Sequence, residues 1–132
     1  MYNTGEGAAI YPGSNLAIYK VYKHQGVHIA SVTGSSVFYS NPMYVPQHAI
    51  DGDTMTFFHS DSLDMEPWLS LVLREPVMVN TVRIYPDFTH SKRLVRFKNV
   101  EIRVGMNPPV GADATMNPFF AFYAGPYDNS SW

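Results

Sequence analysis

The sequence contains no cysteine, so neither a disulfide framework nor a cysteine-based zinc site can hold this chain together. It also lacks an apolar run long enough to span a membrane, and residues 1–4 lack the basic and apolar regions of a signal peptide. Charged residues make up only 15% of the chain, and the formal net charge is -2. Because counterion release needs a strongly basic face, this charge argues against a nucleic-acid partner.

Catalytic signatures are missing as well. The sequence has no nucleophile elbow, no phosphate-cradling glycine loop, no His-Glu-x-x-His motif and no cysteine nucleophile. His24 and His28 are four residues apart, but in a strand that spacing is too long for one metal ion, so we interpret both as structural. We therefore predict a protein that is not an enzyme.

What the chain does contain favours β-structure. Hydrophobic residues make up 45% of its 132 residues and aromatic residues 14%, and ten prolines and nine glycines interrupt the sequence at short intervals. This composition suits many short strands joined by long loops. The length is enough for one hydrophobic core. We predict one all-β domain over residues 15–132, preceded by an N-terminal arm over residues 1–14.

The pattern of apolar, β-branched and aromatic residues predicts the individual strands. Gly34 is expected to form a hairpin or bulge between the second and third of them. In later strands we expect Val82 and Ile84 to face the core, and Glu101 to pair with Arg83 across two strands. The predicted strands cover residues 15–22, 28–32, 35–39, 68–73, 77–85, 99–104 and 119–123.

Charges of opposite sign occupy different parts of the chain. Six of the nine Lys and Arg residues lie between positions 83 and 103, downstream of an acidic group. This arrangement suits a cation site beside a site for a polar ligand, but it also suits two solvated loops that attract each other weakly. The acidic group consists of Asp51, Asp53, Asp61, Asp64 and Glu66.

The segment Asp51-Gly52-Asp53 is the best candidate for a metal site. Two carboxylates flanking a glycine can turn onto one hard cation, and loop carbonyls can complete the oxygen shell that calcium prefers. The segment does not start an EF-hand, because Thr56 and Ser62 occupy the positions that need a glycine and a glutamate. The alternative is a simple Asp-Gly turn whose carboxylates accept backbone amides.

A second candidate site has residue types suited to a neutral sugar. A sugar offers hydroxyls and one less polar ring face, so its site needs a few convergent polar groups and an aromatic wall. His59 and Arg93, both in predicted loops, could supply the polar groups, and Tyr85 and Phe88 the wall. Their spacing alone does not select them.

Five segments in order resemble the F-type lectins (fucolectins), a branch of the galactose-binding-like, discoidin-type jelly rolls. The resemblance covers residues 15–132. It implies an antiparallel jelly-roll β-sandwich, a carbohydrate-recognition function, and a secreted or extracellular protein of the cell surface. The segments are Asn15-Leu16-Ala17, Ala49-Ile50-Asp51-Gly52-Asp53, Pro67-Trp68, Arg93-Leu94 with residues 99–105, and Asn117-Pro118 with Tyr123-Ala124-Gly125.

The resemblance also implies ligand-binding residues. The family's fucose motif is a His, 26 residues, Arg-x-Asp, four residues and then Arg or Lys. His59 and Arg93 match its first and last positions, whereas Pro86 and Phe88 stand where the family has an arginine and an aspartate. The resemblance therefore implies an altered sugar pocket. His90 lies in the same loop and could replace a lost donor.

For calcium, the resemblance implies that Asp51 and Asp53 are side-chain ligands, with His48 in place of an expected asparagine. The family's other ligands lie in a last strand that has no match here, and a jelly roll without it would leave an unpaired edge. The chain is then a fragment, or another protein chain completes the sheet, or the sandwich closes differently at residues 119–123. The expected partner is a glycan or glycoprotein.

Two further functions stay open from the sequence. The chain could be a discoidin-like protein- or membrane-interaction module, with the apolar segments Met43-Tyr44-Val45-Pro46 and Phe57-Phe58 as its contacts. It could also be a structural spacer that has lost sugar binding. Asn129-Ser130-Ser131 is an N-glycosylation acceptor, which matters only in a secreted protein.

Overall fold

The computed structural model describes residues 17–22, 27–53, 55–86, 98–107 and 116–124. Within these ranges the chain forms seven short strands and three short 3-10 helices, with no α-helix, as an all-β fold requires. The expected arm over residues 1–14 lies outside them. The strands are β1 (Ala17–Tyr22), β2 (Ile29–Gly34), β3 (Phe58–His59), β4 (Leu69–Leu73), β5 (Arg83–Pro86), β6 (Val100–Arg103) and β7 (Phe119–Tyr123).

The three 3-10 helices all lie in the long connection between β2 and β3. They span Phe38–Ser40, Pro42–Tyr44 and Pro46–Ala49. Proline begins the second and third of them, where its fixed φ suits the first helical position and its missing N–H costs nothing. No helix in the described ranges is long and apolar enough to cross a membrane.

The strands form three small antiparallel sheets. β1 lies between β3 and β5, β2 pairs with β4, and β6 pairs with β7. In the three-stranded sheet Ala17 pairs with His59, and the next residue, Ile18, pairs with Pro86 on the other side. Since β1 runs antiparallel to both neighbours, β3 and β5 run in the same direction and end at the same edge of the sheet.

One hydrophobic core joins the three sheets. Its buried residues come from five strands and from the third 3-10 helix, and half-buried side chains of β5 and β7 pack against them. Phe58 of β3 is among the largest fully buried side chains. The buried core residues are Ile18, Val32, Ala49, Phe58, Leu69, Leu71 and Val100, with Ile84 and Tyr123 among those packed against them.

Two strand predictions are confirmed nearly to the residue. β4 occupies Leu69–Leu73 of the predicted 68–73, and Leu69, Ser70, Leu71 and Leu73 are all buried. β7 occupies the predicted 119–123. The continuous apolar run of β4 suits a strand that is covered on both faces, whereas Phe119 and Phe122 of β7 are exposed.

The predicted strand over residues 35–39 is wrong. β2 forms no hairpin at Gly34 but pairs with β4, and the chain then enters the first 3-10 helix. Tyr39 and Ser40 have φ angles of 49° and 50°, which an extended strand does not allow. Ser35 instead donates its backbone N–H to the carbonyl of Trp68, at 3.0 Å.

Two other predictions need correction. The strand expected over 77–85 forms only at Arg83–Pro86. Glu101 pairs with Arg103 on its own strand rather than with Arg83, because β6 pairs with β7 while β5 belongs to another sheet. The predicted burial holds at this strand, since Val82 and Ile84 are half-buried and Arg83 is exposed.

Candidate functional site

His59 lies in β3 at the sheet edge, not in a loop as the sequence predicts, and its side chain is only 9% exposed. Its Nδ1 atom is 2.5 Å from the carbonyl oxygen of Ser60. Because a carbonyl oxygen can only accept a hydrogen bond, Nδ1 carries the ring hydrogen and is the donor in the bond to the Ser60 carbonyl. This bond fixes the orientation of the imidazole.

Three aromatic rings surround this imidazole. The centroid of the His59 ring is 4.7 Å from that of Phe38, 6.0 Å from that of Tyr44 and 6.4 Å from that of Phe57. Tyr44 and Phe57 also contact each other, at 5.2 Å. The rings meet at inclined angles, which the quadrupoles of aromatic groups favour. We call Phe38, Tyr44, Phe57 and His59 the aromatic cluster.

Tyr39 stands at the border of this cluster. Its ring centroid is 4.3 Å from that of Phe38, yet 79% of the residue is exposed. Its backbone is in the left-handed region, with φ at 49° and ψ at 26°. A bulky residue seldom adopts this conformation, and such strain is often found at binding sites. The strained backbone presents a phenol to solvent beside the buried imidazole.

The other residues expected to bind a ligand follow His59 along the chain. Tyr85 lies in β5, where it pairs with Lys20 of β1. Phe88, His90 and Arg93 lie outside the described residues. The structure thus brings the β-strand that holds Tyr85 into the same sheet as His59.

The register relates the end of β3 to the end of β5. His59 ends β3 and Pro86 ends β5, with β1 between them. Two strand spacings separate these ends by about 10 Å. Pro86 therefore lies at the edge of the sheet where His59 lies.

The Asp51-Gly52-Asp53 segment forms a tight turn. Asp51 accepts the backbone N–H of Asp53 on Oδ1, at 2.9 Å, and the hydroxyl of Thr56 on Oδ2, at 2.5 Å. Asp53 accepts the N–H of Met55 on Oδ1, at 2.9 Å. Gly52 has φ at 76°, where a glycine avoids backbone strain. These are the bonds expected of an Asp-Gly turn with capping carboxylates.

Calcium at this turn would need further ligands. Within the described ranges no three His, Asp or Glu side chains lie close enough to hold a metal ion. Carboxylate oxygens have additional lone pairs, so Asp51 and Asp53 could bind a cation together with backbone carbonyls. His48 instead donates Nδ1–H to the carbonyl of Met43, at 2.7 Å, within the 3-10 segment.

A polar cluster that the sequence does not reveal joins two loops near His59. The hydroxyls of Ser35 and Ser36 both donate to Oδ2 of Asp64, at 2.6 Å each. The hydroxyl of Ser36 accepts the N–H of Asp61 at 2.9 Å, and that of Ser35 accepts the N–H of Trp68 at 3.0 Å. We call Ser35, Ser36, Asp61 and Asp64 the serine clamp.

Comparisons with known proteins found no match, so we infer the function from the geometry of the candidate site. No protein-family model matches the chain, and no curated protein and no solved structure matches it. The resemblance to F-type lectins therefore stays a prediction from the sequence, and the function is argued from the residues at this end of the fold.

Proposed function

We propose that this chain is a non-catalytic carbohydrate-recognition domain whose ligand binds where β3 and β5 end. The observation that carries the proposal is this shared edge, with His59 ending one strand and Pro86 the other. Arg93 is seven residues beyond Pro86, and a chain of that length can span about 23 Å. The chain after Pro86 is therefore long enough for Phe88 and Arg93 to reach the same ligand as His59.

The residue types at this edge suit a sugar. With Nδ1 donating to Ser60, His59 would approach a ligand through the opposite edge of its ring. The exposed phenol of Tyr39 offers an aromatic face for the less polar side of a sugar ring. Arg93 would add a guanidinium donor, while Pro86 and Phe88 would make the pocket less polar than that of a typical fucose binder.

The proposed fold is an antiparallel jelly-roll β-sandwich. Supporting it, all three sheets are antiparallel and contribute to one core rather than to separate ones. A core shared by strands of different sheets is what two packed layers produce. In this proposal Asp51 and Asp53 bind a structural calcium ion, and the domain works in a secreted or cell-surface protein that binds a glycan or glycoprotein.

Affinity for L-fucose, measured by isothermal titration calorimetry, tests the proposed site. His59→Gln and Arg93→Gln should each weaken binding about tenfold, because the first removes the imidazole and the second the guanidinium that would each hydrogen-bond a ligand hydroxyl. His28→Gln is the matched control, since His28 is exposed at the far end of β2 and should bind like the unaltered chain.

Arg93→Gln keeps the test decisive if His59→Gln fails to fold, because it retains the imidazole of His59 and its hydrogen bond to Ser60. Unchanged affinity in a folded Arg93→Gln, or an equal loss in His28→Gln, would contradict the proposed site.

A second candidate function is interaction with a protein or a membrane through apolar loops. The exposure of Met43, at 65%, and of Tyr39 favours it. Phe58 is fully buried and cannot take part, and Tyr44 and Phe57 are half-buried against each other. Phospholipid vesicle sedimentation of Met43→Ser tests it, with Met78→Ser as a control of similar exposure between β4 and β5. Loss of sedimentation in Met43→Ser alone would support this function.

A further inference from the structure

Five large apolar side chains are exposed around the aromatic cluster, and we call them the apolar rim. None lies in a strand: Tyr39 and Met43 lie in 3-10 helices and the other three in loops. They are Tyr39, Met43, Met55, Leu63 and Met65, with exposures of 79%, 65%, 83%, 85% and 58%.

Three rim residues lie close along the chain to members of the aromatic cluster. Met43 is adjacent to Tyr44 and Met55 is two residues from Phe57, and the rings of Tyr44 and Phe57 are in contact. Tyr39 contacts Phe38 of the same cluster. The aromatic cluster therefore brings together the segments that carry these three residues.

The serine clamp attaches the second half of the rim. Leu63 and Met65 flank Asp64, whose carboxylate accepts the hydroxyls of Ser35 and Ser36. Those serines precede Phe38 and Tyr39 by a few residues. The clamp thus places the 61–66 loop beside the first 3-10 helix, Phe38–Ser40.

Hydrogen bonds fix the backbone of the loop that carries Leu63 and Met65. The N–H of Leu63 donates to Oδ1 of Asp61 at 3.0 Å, and the N–H of Glu66 donates to Oδ1 of Asp64 at 3.1 Å. Such side-chain turns fix the loop backbone locally. A partner that docked here would spend little free energy on ordering the loop.

The rim lies in the most acidic part of the chain. Five carboxylates occur between positions 51 and 66, and no Lys or Arg occurs between positions 24 and 73. This charge repels anionic phospholipid and attracts a cationic partner. Methionine adapts its shape to different partners, and three of the five rim residues are methionine.

We propose that the apolar rim docks a cationic, amphipathic segment of a partner polypeptide. The proposal rests on the second candidate function and names the chemistry of its partner. The methionines and Leu63 receive the partner's apolar side chains, while the carboxylates at the border pair with its Lys and Arg residues.

Fluorescence anisotropy with a short synthetic peptide of leucine and lysine, patterned as an amphipathic helix, tests the proposal. The double variant Leu63→Ser/Met65→Ser should bind this peptide about tenfold more weakly, because it removes apolar contact area from the rim. The matched control is Met78→Ser/Met106→Ser, which removes two methionines that are 78% and 62% exposed elsewhere. The control should bind like the unaltered chain.

Charge is tested separately. Glu66→Gln should weaken binding of the leucine-lysine peptide several-fold at low salt, and added salt should remove the difference. Glu75→Gln, an exposed glutamate between β4 and β5, should have no effect. A second peptide, with glutamate in place of each lysine, should not bind.

Three results would overturn the proposal. If the glutamate peptide bound as tightly as the leucine-lysine peptide, the rim would bind apolar segments without preferring cationic ones. Binding to phospholipid vesicles that is lost in Leu63→Ser/Met65→Ser, without peptide binding, would make a membrane the partner of the same surface. Failure of every peptide and vesicle to bind would overturn both the proposal and the second candidate function.

Discussion

Asn117 shows how a single buried residue connects the segment before β7 to the segment after β6. It is fully buried, and its amide donates to the carbonyl of Asn107 at 2.8 Å while its Oδ1 accepts the N–H of Asn107 at 3.0 Å. Arg103 donates to the carbonyl of Asn117 at 2.8 Å. A Cβ atom at Gly105 would overlap Oδ1 of Asn117 and lie 2.9 Å from Cδ of Pro118. Only glycine fits at position 105.

Gly105→Ala should therefore lower the free energy of unfolding by about 1–3 kcal/mol, because the added methyl group overpacks the Asn117 amide. Urea denaturation measures this cost. In an Asn117→Ala background the amide is absent, so the same Gly105→Ala change should cost clearly less. Equal costs in both backgrounds would contradict the contact with Asn117.

Asp53 allows a separate test of calcium at the turn. Asp53→Asn keeps the Oδ1 acceptor for the N–H of Met55 but removes the charge that a cation needs. Calcium at 100 times its dissociation constant would stabilise the unaltered domain by about 2.7 kcal/mol. We expect added calcium to raise the melting temperature of the unaltered chain and not that of Asp53→Asn. A rise that is equal in both would place the ion elsewhere.

At the scale of elements, the serine clamp ties the chain after β2 to the loop before β4. Asp64 accepts two hydroxyls on one oxygen and the N–H of Glu66 on the other. Side-chain hydrogen bonds therefore connect the two segments beyond the point where the backbone pairing of β2 with β4 ends. This clamp sets the direction in which the long 3-10 connection leaves the sheet.

Asp64→Ala should destabilise the domain by about 2–3 kcal/mol, because the hydroxyls of Ser35 and Ser36 lose a charged acceptor. Glu75→Ala is the control, an exposed carboxylate whose removal should change the free energy of unfolding by less than about 0.5 kcal/mol. Guanidinium denaturation measures both. Equal stability of the two variants would show that the clamp contributes nothing to folding.

The elements differ in how far the sequence predicts them. β4 and β7 follow from continuous apolar runs, but only β4 is buried, whereas Phe119 and Phe122 of β7 are exposed. The alternation over residues 35–39 also predicts a strand, but hydroxyl bonds to Asp64 and two left-handed residues override it. Alternation reports the exposure of a strand, not its partner, so the pairing of β2 with β4 had to come from the structure.

The aromatic cluster could not be predicted from the sequence, because its members are far apart along the chain. His59 is predicted as a candidate from its residue type, yet Phe38 and Tyr44 lie 21 and 15 residues before it. Only the 3-10 connection brings their rings to its imidazole. The Asp51 turn, in contrast, is local, and its carboxylate bonds are those that the sequence analysis gives as the alternative to a metal site.

For the whole molecule, most of the candidate chemistry comes from one stretch of the chain. Three small sheets share a core, and residues 35–66 carry the aromatic cluster, the Asp51 turn and the serine clamp. Residues 24–73 contain five carboxylates and no Lys or Arg, whereas six of the nine Lys and Arg residues lie between positions 83 and 103. A sugar at the His59 edge and a cationic polypeptide on the apolar rim would both contact side chains of this stretch.

The measurement that tests the central claim most directly is a nuclear magnetic resonance titration of the isotope-labelled domain with L-fucose and with galactose, each with and without calcium. The account predicts saturable shifts for at least one sugar, confined to residues near His59 and to the segment after Pro86. Absence of shifts with both sugars in a folded sample, with and without calcium, would contradict carbohydrate recognition at this edge.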